Sequence, residues 1–197
     1  GLVGSEMCIR DSFIPLLFQG EEWGASSPFL YFTDHQDPQL GESVRRGRQE
    51  EFAAFGWSPD KIPDPQAEET FLRSKLDWGE MAREPRAGLL EWHRKLIGLR
   101  RRSPALTDGR LDTTEVTVDE GAGWFTVTRG PVYVACNLAS QAQEIPLAAP
   151  SEREIMLASE PGCAIKGDRI FLPGHAVALV GPGSLAEEKK HESFLKG

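Results

Sequence analysis

The stretch Phe13-Ile-Pro-Leu-Leu-Phe-Gln-Gly-Glu-Glu-Trp-Gly24 opens on six apolar residues without alternation and closes on a glycine, two acids and a tryptophan. An unalternated run of this length suits a strand buried on both faces, as in a parallel sheet or barrel. Gly20 lets the chain turn where the apolar run stops. In a (β/α)8 barrel the loop just past a strand's C-terminal end faces the active site. Glu21 and Glu22 would then present carboxylates there, and Trp23 a flat apolar face.

Outward from that stretch, Ser27-Pro-Phe-Leu-Tyr-Phe-Thr-Asp-His35 adds three more rings, Phe29, Tyr31 and Phe32, with polar residues between them. A sugar ring has a face of C–H groups and a rim of hydroxyls. Aromatic side chains stack on the face and carboxylates accept hydrogen bonds from the rim, so acids interleaved with rings suit a carbohydrate groove. Glu21 and Glu22 do not form a retaining glycosidase pair on this reading. Such a pair flanks one bond with its carboxyls about 5–5.5 Å apart, whereas neighbours at an extended strand end point to opposite faces.

Beyond the aromatic segment, Ser43–Phe55 is charged and expected to be helical. Gly56–Asp77, broken by Pro59, Pro63 and Pro65, is expected to be loop. After Pro85 an amphipathic stripe of Leu89, Trp92, Leu96 and Leu99 marks the clearest helix. It stops at Ser103-Pro104, with Arg100-Arg101-Arg102 complementing the dipole at its end. His93 reads as a packing residue of this helix.

From Pro104 the pattern changes to short β-rich runs: 115–118, 124–129, 132–137, 144–147, 154–157, 169–172 and 176–180. They are punctuated by Gly, Pro and Asn, as in an antiparallel sandwich. The hairpin through Arg129-Gly130-Pro131 is the firmest pairing. After Pro182 the composition turns polar, as in a frayed tail.

Composition narrows the function classes. Of 197 residues, 40% are hydrophobic, enough for a core, and no segment approaches the roughly 20 apolar residues of a membrane span. The net charge of −8 argues against nucleic acid, which requires clustered Lys and Arg. Three cysteines (Cys8, Cys136, Cys163) are too few for a disulfide framework, and the four histidines show no metal-ligand spacing. Cysteine usage leans to the cytoplasm.

With these residues quoted, a resemblance becomes specific. Leu17-Phe-Gln-Gly-Glu-Glu-Trp-Gly24 resembles the last barrel strand of the α-amylase superfamily. The runs 27–34, Asp37-Pro-Gln-Leu-Gly41, Val44-Arg-Arg-Gly-Arg48, Glu51-Phe-Ala-Ala-Phe-Gly-Trp57 and Ser74-Lys-Leu-Asp-Trp78 resemble the malto-oligosyltrehalose trehalohydrolase family in particular. Phe171-Leu-Pro-Gly-His-Ala-Val-Ala-Leu179 resembles the last strand of that family's β domain.

The resemblance implies the C-terminal end of a (β/α)8 barrel: a last strand, long loop and final helix over 13–103. An antiparallel β-sandwich over 104–182 and a disordered tail over 183–197 would follow. Residues 1–12 resemble a translated sequencing-adapter string and would be foreign to the protein. The family implies a retaining hydrolase that cleaves the α-1,4 bond beside a terminal trehalosyl unit and releases trehalose, without metal or organic cofactor. Its catalytic aspartate, glutamate and second aspartate match no position here and would lie upstream of Phe13. The loop Pro28–His35 would line the site, with Tyr31 the foremost contact and Phe32 and Glu21 next. Glu22, Pro28, Phe29, Asp34 and His35 complete the expected substrate-binding set. The partner would be a malto-oligosaccharide with a terminal trehalose unit. Two other readings remain open: another superfamily enzyme such as a branching enzyme, and a non-catalytic carbohydrate-binding β domain.

Overall fold

The computed structural model describes residues 16–110, 112–147 and 153–183. The adapter-like segment 1–12, the start of the expected strand at 13–15 and the expected tail from 184 on lie outside the described residues. Phe18–Leu90 forms one compact unit. The described residues from Glu91 onward, with Leu16 and Leu17, form the other.

The first unit is built from short helices and turns. Glu21–Trp23 forms a 3-10 turn bracketed by Gly20 and Gly24, both in the left-handed region. Gly20 is obligatory twice over. Its φ of 82° strains any L side chain, and a Cβ there would stand 2.7 Å from Ala25 Cβ and 2.9 Å from Leu76 Cδ2.

Helix α1 (Pro38–Ala53) starts five residues before the expected Ser43. Asp37 accepts a hydrogen bond from Gln39 N–H at 2.8 Å, and Pro38 fills the first helical position, where no N–H is needed. That capping signal sits inside a polar run that otherwise reads as loop. Helix α2 (Glu68–Ser74) corrects the expectation of continuous loop over 56–77. It is seven residues long, too short to show an apolar stripe. Its acidic first turn, Glu68 and Glu69, complements the dipole. A 3-10 turn at Trp78–Ala82 follows, capped by Asp77.

The expected buried strand at Phe13–Phe18 is not found among its described residues. Leu16–Phe18 lie in no ladder, and Leu16 and Phe18 are exposed. A strand exists only by pairing its backbone groups with a neighbour, and no described strand runs beside these residues.

Helix α3 (Arg86–Arg102) follows the expected stripe, with Trp92, Leu96 and Leu99 buried and Leu89 partly so. His93 is buried at 2% exposure. A one-turn helix α4 (Pro104–Thr107) precedes the strands.

In the second unit, β1 (Thr114–Asp119), β2 (Trp124–Arg129), β3 (Val132–Asn137), β5 (Arg153–Ala158) and β8 (Val177–Pro182) make a five-stranded sheet of order β1-β2-β3-β8-β5. Strands β4 (Gln143–Pro146), β6 (Ala164–Lys166) and β7 (Arg169–Leu172) make a three-stranded sheet of order β4-β7-β6. All pairings are antiparallel. The β2–β3 hairpin turns where expected, with Arg129 opposite Val132. Strand β6 was not expected.

One core draws on both sheets: Tyr133 and Ala135 of β3, Ala178 and Val180 of β8, Ile145 of β4, and Ile170 and Leu172 of β7. Each buried Leu or Ile contributes about 1.5–3 kcal/mol. Trp124 packs against this core as well, so the first of the adjacent pair Trp124-Phe125 faces inward. The two sheets are also stitched by a polar residue. Asn137, at the end of β3 and 1% exposed, donates to the carbonyls of Leu172 (3.3 Å), Pro173 (2.8 Å) and Gln141 (2.8 Å), and its Oδ1 accepts from Ala139 N–H at 3.0 Å.

Candidate functional site

The aromatic segment 28–35 runs along the first unit with its backbone tied down by three side chains from further along the chain. At its leading end, Glu80 accepts hydrogen bonds from Ser26 N–H at 3.0 Å and from the Ser26 hydroxyl. Glu80 is itself buried, and Arg86 Nε lies 3.4 Å from its carboxylate. The two Ser26 donors, with Arg86 adding its charge, hold the Glu80 carboxyl below the usual carboxylate range. In the middle, Leu30 N–H donates to Ser74 Oγ at 3.1 Å. At the far end, the Gln66 amide accepts from His35 N–H and from the Thr33 hydroxyl, and donates to His35 C=O at 3.1 Å. Thr33 N–H donates to Pro65 C=O at 2.8 Å.

So held, the segment displays its rings. Phe29 is 61% exposed, Tyr31 47% and Phe32 37%. They do not form a buried cluster. Phe18, Phe29, Phe32 and Phe71 follow one another edge to face, with centroids 5.0, 6.3 and 5.2 Å apart. Tyr31 turns away from this row to meet α1, where the Arg48 guanidinium lies 4.8 Å from its ring centroid and 4.6 Å from that of Phe52. Two open pockets result. One, lined by Phe29, Tyr31, Arg48, Phe52 and Trp57 among others, has a volume of about 230 Å³. The other is lined by Phe32, Thr33, Asp34, Gln66 and Phe71 among others.

The expected substrate-binding residues are thus divided. Phe29 and Tyr31 line the first pocket, and Phe32 and Asp34 the second. Pro28 is exposed on the same segment, and His35 is held through its backbone by Gln66. Glu21 and Glu22 sit apart, on the 3-10 turn, where Glu21 Oε2 accepts from Phe18 N–H at 3.0 Å. They do not stand at an extended strand end, because the two left-handed glycines wind the chain there. The turn is closed underneath by Trp23, 2% exposed, against Trp78 at 5.4 Å.

Sequence reading missed Arg48, Phe52, Trp57, Gln66 and Glu80 as parts of this surface. Arg48 and Phe52 are four residues apart and share a helix face. That spacing was the available signal. Nothing local marks Gln66 or Glu80, whose partners are 31 and 54 residues away.

With this geometry in view, the likeness to other proteins is informative. The chain is 44% identical over 166 residues to the malto-oligosyltrehalose trehalohydrolase of Arthrobacter ramosus, covering 84% of this chain and 28% of that protein. To the same enzyme of Brevibacterium helvolum it is 39% identical over 178 residues, covering 90% and 30%. The chain is a relative of the malto-oligosyltrehalose trehalohydrolases.

It spans less than a third of the length of these trehalohydrolases. Residues 109–179 match a family model described as a domain of unknown function, DUF3459. Among solved structures, a candidate alpha amylase from Salmonella typhimurium matches with a TM-score of 0.71 at 31% identity, over 91% of this chain and 30% of that one. A pullulanase from Anoxybacillus matches with a TM-score of 0.56 at 15% identity, over 91% and 22%, which shows a shared fold. The trehalohydrolase likeness extends over the aromatic segment and the β unit together, whereas the family model covers the β unit alone.

Proposed function

We propose that the chain is part of a retaining glycoside hydrolase that cleaves the α-1,4 bond next to the terminal trehalosyl unit of a malto-oligosyltrehalose and releases trehalose. Two lines of support meet. Relatives at 39–44% identity carry that name. The segment 28–35 bears half-exposed rings beside acceptors and a guanidinium, the surface a glucan requires.

On this reading, Phe13–Ser103 contributes the last strand, loop and helix of a (β/α)8 barrel, and 104–182 forms an antiparallel β-sandwich. The catalytic carboxylates belong to other strands of that barrel. There an aspartate attacks the anomeric carbon while a glutamate protonates the departing glycosidic oxygen. Water then releases the sugar with the roles of acid and base exchanged. No metal or organic cofactor enters these steps.

The residues described here bind and orient. Tyr31 stacks on a ring at the trehalose end, with Phe29, Phe32 and Pro28 continuing the apolar surface. Asp34 and His35 bond the hydroxyl rim there, and Glu21 and Glu22 bond hydroxyls from the separate 3-10 turn. The described helices include none long and apolar enough to cross a membrane, and the reading places the enzyme in the cytoplasm.

The observation that carries the proposal is the exposed Tyr31 ring on a clamped backbone. Its test is Tyr31→Ala in the complete enzyme, assayed for trehalose release from malto-oligosyltrehalose. A weakened KM is expected; unchanged kinetics would remove the assignment. The likeness to a candidate alpha amylase favours a second reading, another superfamily reaction. Product analysis separates them. Free trehalose supports the first, whereas a new α-1,6 branch or maltose alone supports the second.

A further inference from the structure

We infer that the pocket walled by Tyr31, Arg48, Phe52 and Trp57 is a carbohydrate subsite for a single glucosyl ring, with the Trp57 indole as its stacking face and the Arg48 guanidinium as its hydrogen-bond donor. The choice of ligand class rests on the proposed function; the site itself rests on geometry. Trp57 is 54% exposed yet fixed: its N–H donates to Phe52 C=O at 3.2 Å, and its ring leans on Phe52 at 5.4 Å. A large ring held half in solvent by its own backbone presents a rigid face without an ordering cost at binding.

Arg48 is fixed as well. Its guanidinium lies against the Tyr31 and Phe52 rings and its Nη1 donates to Glu51 at 2.9 Å. A guanidinium offers five N–H donors in a planar fork, more than the bond to Glu51 uses.

The occupant follows from size and charge. At about 230 Å³ the pocket is smaller than the roughly 300–1,000 Å³ of drug-sized sites, which suits one ring rather than a long chain. Glu51 beside Arg48 offsets its charge, and the whole chain carries −8, so an anion gains little here. A neutral ring with an apolar face and a hydroxyl rim uses both the indole and the guanidinium.

The test is direct binding to the 197-residue chain, read by its intrinsic tryptophan fluorescence during titration with maltose, with inorganic phosphate as the control ligand. Saturable change with maltose and none with phosphate is expected. Trp57→Phe should abolish that change, and Arg48→Lys, which keeps the charge and loses the fork, should weaken affinity about tenfold. No saturable response to maltose, a response surviving Trp57→Phe, or saturation by phosphate instead would overturn the subsite. If Trp57→Phe loses its far-UV helical signal, Arg48→Lys decides, and unchanged affinity in it overturns the subsite. Binding is read here without turnover. An enzyme that fails to release trehalose would therefore refute the reaction while leaving a maltose response standing.

Discussion

The side-chain amide of Gln66 bonds both backbone groups of His35, accepting from its N–H and donating to its C=O, each at 3.1 Å. The amide thus does for the aromatic segment what a neighbouring strand would do. It stands against Gly41 of α1, where a Cβ would come within 2.9 Å of Gln66 Nε2.

Gln66→Ala should therefore loosen residues 33–35. Each lost bond costs about 1 kcal/mol, and a buried partner left unsatisfied costs more. Gln66→Glu keeps the acceptor for His35 N–H and loses the donor to His35 C=O, so it should fall between wild type and alanine. Amide exchange at His35 N–H orders the three proteins. Gly41→Ala tests the same clamp from behind. Alanine improves helix propensity by about 1 kcal/mol over glycine, but here it displaces a pinned amide. Faster exchange at His35 N–H is expected despite the better helix former.

Glu80 makes the other clamp sensitive to acid. Its folded carboxyl lies below the ordinary glutamate range because Ser26 donates to it and Arg86 faces it. A carboxyl lowered on folding stabilises the fold above its unfolded value. That contribution is lost as pH falls through the folded value. Protection of the Ser26 amide should therefore be full at neutral pH and decline below the usual glutamate range. Glu80→Gln should reduce protection at neutral pH and flatten the dependence. A Ser26 amide equally protected at neutral and low pH would contradict this.

Asn137 offers a sharper pH test in the second unit. Its Nδ2 meets three carbonyl oxygens in a buried position. Asn137→Asp replaces that donor with an oxygen, and an ionised carboxylate cannot satisfy three acceptors. The substitution should cost about 3 kcal/mol or more at neutral pH. Protonation restores one donor, so the loss should shrink as pH falls. Thermal unfolding of wild type and variant across pH checks both the size and the sign.

Gly174→Ala should destabilise the same unit. A Cβ there would stand 2.1 Å from the carbonyl oxygen of Ser140, a backbone atom that moves only with its chain. The neighbouring bond from His175 N–H to Ala139 C=O, 2.9 Å, holds that chain in place. Overpacking of this kind costs about 1–3 kcal/mol, which denaturant unfolding would register as a lower midpoint at unchanged slope.

How legible these features were depended on the range of the interactions. Strands β2, β3 and β7 are read to the residue because Gly130-Pro131 and similar turns bound short β-rich runs. Helix α3 is read because its stripe, Leu89 to Leu99, repeats over about three turns. Helix α2 escaped because EETFLRS, between prolines, is one short polar segment, and β6 because three residues carry no period. At the site, the rings were evident as a composition. What keeps them in place was not legible: Gln66, Ser74 and Glu80 act on backbone atoms 31 to 54 residues away, and no local pattern encodes such a partner.

Strand β8 is the last described strand in the chain, yet it lies in the interior of its sheet, between β3 and β5. During synthesis, β1, β2 and β3 can assemble as a meander soon after they emerge. The inner edge of β3, buried at all six positions when complete, then waits for residues 177–182. At about 5–20 residues per second, the 39 residues between β3 and β8 keep that apolar edge open for some seconds on the ribosome. Premature termination anywhere in that interval would leave a ready template for association rather than a slightly shorter domain.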